Sequence, residues 1–167
     1  MQQLEVFECE QGSADWFRAR AGIPTASCFG KILTEGRGGN PSKTRRTYML
    51  ELAGERLTGI PMEAFSTIHM QRGHEMEEEA RRAYSMITDA DTHPVGFIRR
   101  GNAGASPDSL VGDNGMLELK TKLPHLQIEL LLADEIPKEH FAQCQGQLWI
   151  AEREWVDLGS YWPGLPM

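Results

Sequence analysis

The stretch SPDSLVGDNGMLELKTK, residues 106–122, constrains this chain more than any other. Ser109–Gly112 and Met116–Lys122 read as two short strands, and the Asp113-Asn114-Gly115 cluster between them is a strong turn signal. In the second run Leu117 and Leu119 alternate with Glu118 and Lys120. The two leucines therefore point to one side of a sheet and the acid and amine to the other.

Helical patterns surround this pair. Ser13 can cap ADWFRARA, which ends at Gly22, and Thr25 and Ser27 open a second helix through Phe29 and Ile32. GRGGNPSK, residues 36–43, is a loop by composition. A third helix follows, with Tyr48, Met49, Leu52, Ala53 and Leu57 on one face and Gly59 as its stop. The fourth, about 67–87, repeats Met70, Gly73, Glu77, Ala80, Tyr84 and Ile87 at helical spacing. Val95 and Phe97 then alternate as in a strand. After the strand pair come helices over about His125–Ala133 and from Pro137 to about Ala151, and a last strand over Glu154–Trp162. No repeat or long linker divides the 167 residues. The expectation is one α/β domain, residues 1–167, with a central mixed sheet flanked by helices.

The chemistry gathers on the strand pair. Asp108 lies ten residues before Glu118. Two carboxylates converging from adjacent strands suit a hard divalent cation, and Lys120 beside them can orient or help deprotonate a water. That is the equipment for metal-assisted hydrolysis of a phosphodiester. Geometry sets a condition. A tight hairpin centred on Asn114-Gly115 would pair Val111 with Glu118 and leave Asp108 roughly 10 Å along the strand. A turn centred on Asp113 would bring Asp108 opposite Glu118. The metal reading requires a wider or bulged connection, or a strand that bends after Pro107.

Glu77 stands on an otherwise apolar helix face. An acid there costs several kcal/mol unless it is paired, protonated or metal-bound, or unless the helix is rotated so that Glu77 edges into solvent beside Glu78 and Glu79. Gln143 and Gln147, four apart, share a face of the last helix next to Phe141, Cys144 and Leu148. Their amides could bond the attacking water, the lysine or a nucleic-acid backbone.

Charge first points the other way. Asp and Glu number 24 against 17 Lys and Arg, a net of −7, which excludes a coat of basic residues. Part of the acidic excess belongs to Glu77, Asp108 and Glu118, and much of the rest to solvated helix faces such as EMEEEARR. The bases concentrate early, at Arg18, Arg20, Lys31, Arg37, Lys43, Arg45 and Arg46, so an acidic chain carries a locally basic N-terminal third. Cys9, Cys28 and Cys144 make neither a disulfide framework nor a Cys-rich metal site. The longest apolar run, 128–133, contains Glu129 and is far too short for a bilayer, and no export signal is visible, so a cytoplasmic protein without membrane attachment is expected. GRGGN lacks the GK[ST] of a phosphate loop. His69 and His74 are five apart, not the spacing of a helical metal pair, and Trp16, Trp149, Trp155 and Trp162 suit core or interface.

Taken in order, QGSADWFRARAGIPTAS, RGHEMEEEA, SPDSLVGDNGMLELKTK and HFAQCQGQLW resemble the YqaJ-type viral recombinase family, the lambda-exonuclease group within the PD-(D/E)xK nuclease superfamily. The likeness runs from about Gln11 to Trp162. It implies a restriction-endonuclease-like core, with Asp108 and Glu118 as metal-binding acids, the main chain at Leu119 as a further ligand and Lys120 as the catalytic lysine. Glu77 would be the additional helical acid and Gln143 the active-site glutamine. Arg20 and Ser27, with Thr25, would form the pocket for a DNA 5′-phosphate. A capped helix start with free N–H groups and an arginine suits an anion.

The implied activity is Mg²⁺-dependent 5′-to-3′ degradation of one strand of linear double-stranded DNA, with Mn²⁺ as a substitute, leaving 3′ overhangs. The implied partners are double-stranded DNA ends, a single-strand annealing protein and further copies of the chain in a trimeric ring. Ser109 and Arg72 stand where relatives tend to have glycine and tryptophan, and the sequence ends at SYWPGLPM, directly after the last strand, where relatives usually continue. The rival readings are an endonuclease of the same superfamily and a DNA-end-binding recombination adaptor that does not cleave.

Overall fold

A computed structural model describes residues 3–40, 42–62 and 68–167, with only the backbone given for 68–75. Strand β1 (Leu4–Phe7) leads into α1 (Ala14–Arg20), a 3₁₀ turn (Ala26–Cys28), α2 (Phe29–Leu33), α3 (Lys43–Thr58) and α4 (Ile68–Thr88). Strands β2 (Thr92–His93), β3 (Phe97–Arg100), β4 (Ala103–Ala105), β5 (Ser109–Val111) and β6 (Gly115–Thr121) follow, then α5 (Pro124–Ala133), α6 (Lys138–Ala151) and β7 (Trp155–Tyr161). The helix starts obey their caps. Ser13 accepts from Trp16 N–H and Ser42 from Arg45 N–H, and Gly59 closes α3 in the left-handed conformation.

The principal sheet has the order β2-β5-β6-β7 and is mixed, with β5 antiparallel and β7 parallel to β6. A parallel return needs a long crossover, which α5 and α6 supply. A second sheet, β1-β3-β4, lies beside it. The expected α/β architecture of a mixed sheet flanked by helices is thus present, but the strands divide into two sheets, and β1, β2 and β4 were not legible. β1 is four residues long and almost wholly exposed, while β4 is Ala-Gly-Ala, buried throughout.

Strand β6 is shared between two cores. Met116 packs with Val95, Ile98, Ala105 and the α6 residue Ile150. Leu117 and Leu119 pack with Ala80 and Tyr84 of α4 and with Tyr161. The alternation of MLELK therefore turns its leucines to α4 and leaves Glu118 and Lys120 for α6. Gly146 lets α6 press on the N-terminal segment, because a Cβ there would lie 2.6 Å from the Phe29 ring.

Three details depart from the sequence reading. On α3 only Tyr48 is buried, whereas Met49, Ala53 and Leu57 (88% exposed) face outward, because α3 packs chiefly on the short α2. Among the described side chains of α4 the buried ones are Ala80 and Tyr84, while Ile87 is 68% exposed near the helix end. Phe141 and Trp149 on α6 are also exposed, Trp149 lying beneath the Arg100 guanidinium at 5.6 Å. Met70, Gly73, Arg72 and both His69 and His74 lie outside the described side chains.

The turn before β6 shows why a glycine's place matters. Val111 pairs with Gly115, so the turn centres on Asp113, and Gly112 (φ 52°) supplies its left-handed residue. Gly115 serves differently. A Cβ there would lie 2.0 Å from the Trp155 ring, across the parallel pair with β7. Replacing Gly115 with alanine should destabilise the protein by about 1–3 kcal/mol through overpacking, measurable by denaturant melts; a melt unchanged from the wild type would show that the Trp155 ring yields freely.

Candidate active site

The hairpin meets the geometric condition. The ladder runs Val111↔Gly115, Leu110↔Met116, Ser109↔Leu117, the register of a turn centred on Asp113. Beyond it Asp108 N–H bonds to Leu117 O (3.0 Å) rather than continuing the straight ladder, so the strand is irregular just after Pro107. Asp108 Oδ2 accepts from Leu119 N–H at 2.5 Å, which brings the aspartate beside the main chain flanking Glu118.

Glu118 is 3% exposed and accepts from three donors. Oε1 receives Lys120 Nζ and Gln143 Nε2 (2.6 Å), and Oε2 receives Gln147 Nε2 (2.5 Å). A buried carboxylate is tolerable only when it is compensated in this way. Burial, then Glu118 and Glu77, push the Asp108 carboxyl well above the usual carboxylate range, against the pull of Leu119 N–H and Lys120. Burial alone would lower the Lys120 ammonium, but the Glu118 carboxylate outweighs it and holds Lys120 above its ordinary value. His140, one turn before Gln143, is pushed down to about 4 by burial and by Lys120 and Lys122, so it is a neutral ring at neutral pH.

Glu77 is neither buried unpaired nor simply in solvent. Arg81 Nη2 lies 2.5 Å from its carboxylate, Arg81 Nη1 reaches Glu78 at 2.6 Å, and Arg81 Nε donates to Ser109 Oγ at 2.9 Å. Ser109 Oγ in turn donates to the Asp108 carbonyl (2.7 Å), so the serine at this position latches α4 to the strand that carries Asp108. Glu77, Arg81 and Asp108 line one cleft of about 320 Å³ with Gln11 and Val95.

The residues present suit a divalent cation. Asp108 and Glu118 bring two carboxylates into a half-buried site, and burial first, then the neighbouring Glu118 and Glu77, raise the Asp108 carboxyl. Among the described residues no three or more His, Cys, Asp or Glu side chains are grouped at metal-binding distance. An ion here would draw on the two acids, main chain and water, which is how Mg²⁺ is ordinarily held.

The N-terminal block braces this site. Gln11 Nε2 donates to Val95 O (2.9 Å) and Pro107 O (3.0 Å), and Trp16 Nε1 to Gly96 O (3.2 Å) and Ser106 Oγ (2.9 Å). Sequence reasoning missed Gln11, Arg81 and His140; the QGS…W spacing was the available signal for the first. The Arg20 guanidinium lies 3.7 Å over the Trp16 ring, and burial lowers its otherwise very high pKa. Thr25 and Ser27 hydroxyls are 3.2 Å apart. Thr25 N–H donates to Tyr48 Oη (3.1 Å), and Thr25 stands at the cap position without a side-chain cap bond. An anion there would meet the guanidinium and the two hydroxyls. Of the early bases, Arg18 pairs with Asp15, Arg45 donates to Thr34 O (3.0 Å) and Lys31 lies 5.2 Å over the Tyr48 ring.

A mixed sheet that presents Asp108, Glu118 and Lys120 to a glutamine-bearing helix defines a fold of the YqaJ nuclease type. The family model described as the YqaJ-like viral recombinase domain matches residues 15–154, and the chain belongs to that family. An alkaline exonuclease (LHK-Exo) from Laribacter hongkongensis is similar at 36% identity and TM-score 0.81, over 92% of this chain and 76% of that one. A structure of LHK-Exo in complex with dAMP matches with the same figures. A phage-related exonuclease from Haemophilus somnus 129PT, 17% identical with TM-score 0.59 over 83% and 68% of the two chains, shares the fold. No curated protein matches. Among the described residues no helix is long and apolar enough to cross a membrane.

Proposed function

We propose that this protein is a Mg²⁺-dependent exonuclease that degrades one strand of linear double-stranded DNA 5′ to 3′, leaving 3′ overhangs for a single-strand annealing partner. The observation that carries the reading is the convergence of Asp108, Glu118 and Lys120 at the irregular start of β5. Kinship with an alkaline exonuclease supports it. Asp108 and Glu118 would hold the ion, with the Leu119 main chain beside them and Glu77 joining once released from Arg81. A divalent cation bound there would stabilise the charge that develops on the phosphoryl oxygens. Lys120, held as an ammonium, orients the attacking water and faces that charge. Gln143, which donates to the same Glu118 oxygen as Lys120 in the metal-free fold, would turn to the attacking water once that oxygen is taken by an ion. Arg20, Thr25 and Ser27 would grip the 5′-phosphate and set polarity, and the locally basic N-terminal third would lie along the duplex. Mn²⁺ would substitute for Mg²⁺, the setting would be the bacterial cytoplasm, and the family likeness suggests a ring-shaped homotrimer.

The test compares digestion of linear duplex with and without a 5′-phosphate in Mg²⁺, with supercoiled circular DNA as the control. The expected wild-type preference for 5′-phosphorylated ends is on the order of 10- to 100-fold, the value of charge-assisted bonds to one anion, and Arg20→Ala should lose it. Nicking of the circle would indicate an endonuclease, and intact linear DNA in both Mg²⁺ and Mn²⁺ a non-cleaving adaptor. Equal rates on the two ends would remove Arg20, Thr25 and Ser27 from phosphate recognition.

A further inference from the structure

We infer that Gln147 is a positioning residue for Glu118, holding one carboxylate oxygen so that the other is presented to a divalent cation; this rests on the metal site proposed above. The two oxygens of Glu118 are engaged by different kinds of group. Oε1 accepts from Lys120 and Gln143, both partly exposed and able to yield to an ion. Oε2 accepts from Gln147, which is 1% exposed and sits one helical turn deeper along α6.

The other end of the same amide makes the case. Gln147 Oε1 is buried and has no hydrogen-bond partner among the described residues. Turning the amide would not help, because it would set Oε1 against Glu118 Oε2, acceptor against acceptor. The amide is therefore held one way round by the carboxylate, while its own carbonyl goes unsatisfied. For packing alone, a leucine or methionine of similar volume would serve without the orphaned carbonyl. The distinct contribution of the glutamine is its N–H on Oε2. With Oε2 anchored in the interior, Oε1, whose two donors are partly exposed, is the oxygen that can exchange them for an ion. Partners that orient a metal-binding group in this way typically govern metal affinity by 10- to 100-fold.

The experiment uses Gln147→Leu and Gln147→Met in the full chain. Three measurements are made: thermal melts without metal, Mn²⁺ binding by calorimetry, and steady-state kinetics on linear duplex. Both variants should fold without metal and melt about 2–10 °C below the wild type, because Glu118 Oε2 loses its donor. They bind Mn²⁺ about 10- to 100-fold more weakly, and lose kcat while KM for DNA stays within about twofold. Mn²⁺ affinity within about twofold of the wild type would overturn the inference. So would failure of both variants to fold without metal, since the residue would then be structural. A wild-type protein that binds no Mn²⁺ would instead overturn the metal site itself, an outcome the binding data alone distinguish.

Discussion

Lys120→Ala should lower turnover on linear duplex DNA by about 10²- to 10⁴-fold in Mg²⁺, the usual contribution of a positioned proton-handling or water-orienting group. DNA-end affinity should change little, because Arg20, Thr25 and Ser27 lie on the N-terminal segment and not on β6. The structure adds a second consequence. Lys120 is one of three donors to a carboxylate that is almost wholly buried, and its loss leaves Glu118 with two neutral amides. Removing one member of a buried ion pair is costly, so the melting temperature should fall as well. Lys120→Met, which keeps the stem, separates the effects by retaining more packing and recovering no turnover. Single-turnover rates and end-binding titrations on the same preparations check both. Full activity in either variant would remove the lysine from the mechanism.

Asp108→Asn should have an opposite effect on stability and an equally severe one on activity. In the metal-free fold the Asp108 carboxyl is pushed up by burial, by Glu118 and by Glu77. An acid whose folded pKa exceeds its unfolded one favours folding when protonated. The contribution of this carboxyl to the stability of the metal-free wild type is therefore full below the ordinary carboxylate range and is lost as pH rises toward the raised value. The asparagine can still accept Leu119 N–H through its oxygen but carries no charge. The variant should thus melt higher than the wild type at pH 8 in EDTA, and its stability should be flatter with pH. Mg²⁺ should raise the wild-type melting temperature at pH 8 and leave the variant unmoved. Turnover should fall at least as far as in Lys120→Ala. Melts from pH 5 to 9, with EDTA and with Mg²⁺, carry the test. A variant that keeps the Mg²⁺ shift would place the ion elsewhere.

The two variants draw on different layers of the protein. That β6 carries an acid and an amine on one face follows from the two-residue period of a strand, a local property. Whether Asp108 reaches that acid is a matter of register, and register is set by the partner strand and the turn. The Asp113-Asn114-Gly115 signal marked a turn but not its centre. Gly112 takes the left-handed residue, and Gly115 is needed beneath Trp155, a contact with β7 forty residues away in sequence. The spacing of Gln143 and Gln147 was equally local, and both amides reach Glu118, although only contact with the sheet separates one oxygen's partner from the other's.

Some local signals were misleading for the same reason. The apolar residues of α3 repeat at helical spacing, yet periodicity cannot say whether a neighbour covers them, and most face outward. Glu77 read as an anomaly on an apolar face because Arg81, its partner, also belongs to the charged run EMEEEARR; only the packing of α4 against Ser109 separates that arginine from a solvated one. Thr25 has the residue type of a helix cap and stands at that position, but its hydroxyl lies against Ser27 Oγ and makes no cap bond.

By itself the sequence determined what depends on neighbours a few residues apart: the capped helices, the alternation of MLELK, the strand-turn-strand unit and the residue types that suit a metal-dependent nuclease site. Tertiary structure decided what depends on partners far along the chain. It placed the turn at Asp113, split the strands into two sheets and committed Glu77 to Arg81. It also gave Gln147 the one Glu118 oxygen that Lys120 and Gln143 do not share. The division is physical, because backbone periodicity and capping are short-range, whereas burial and carboxylate solvation depend on which distant groups exclude the water.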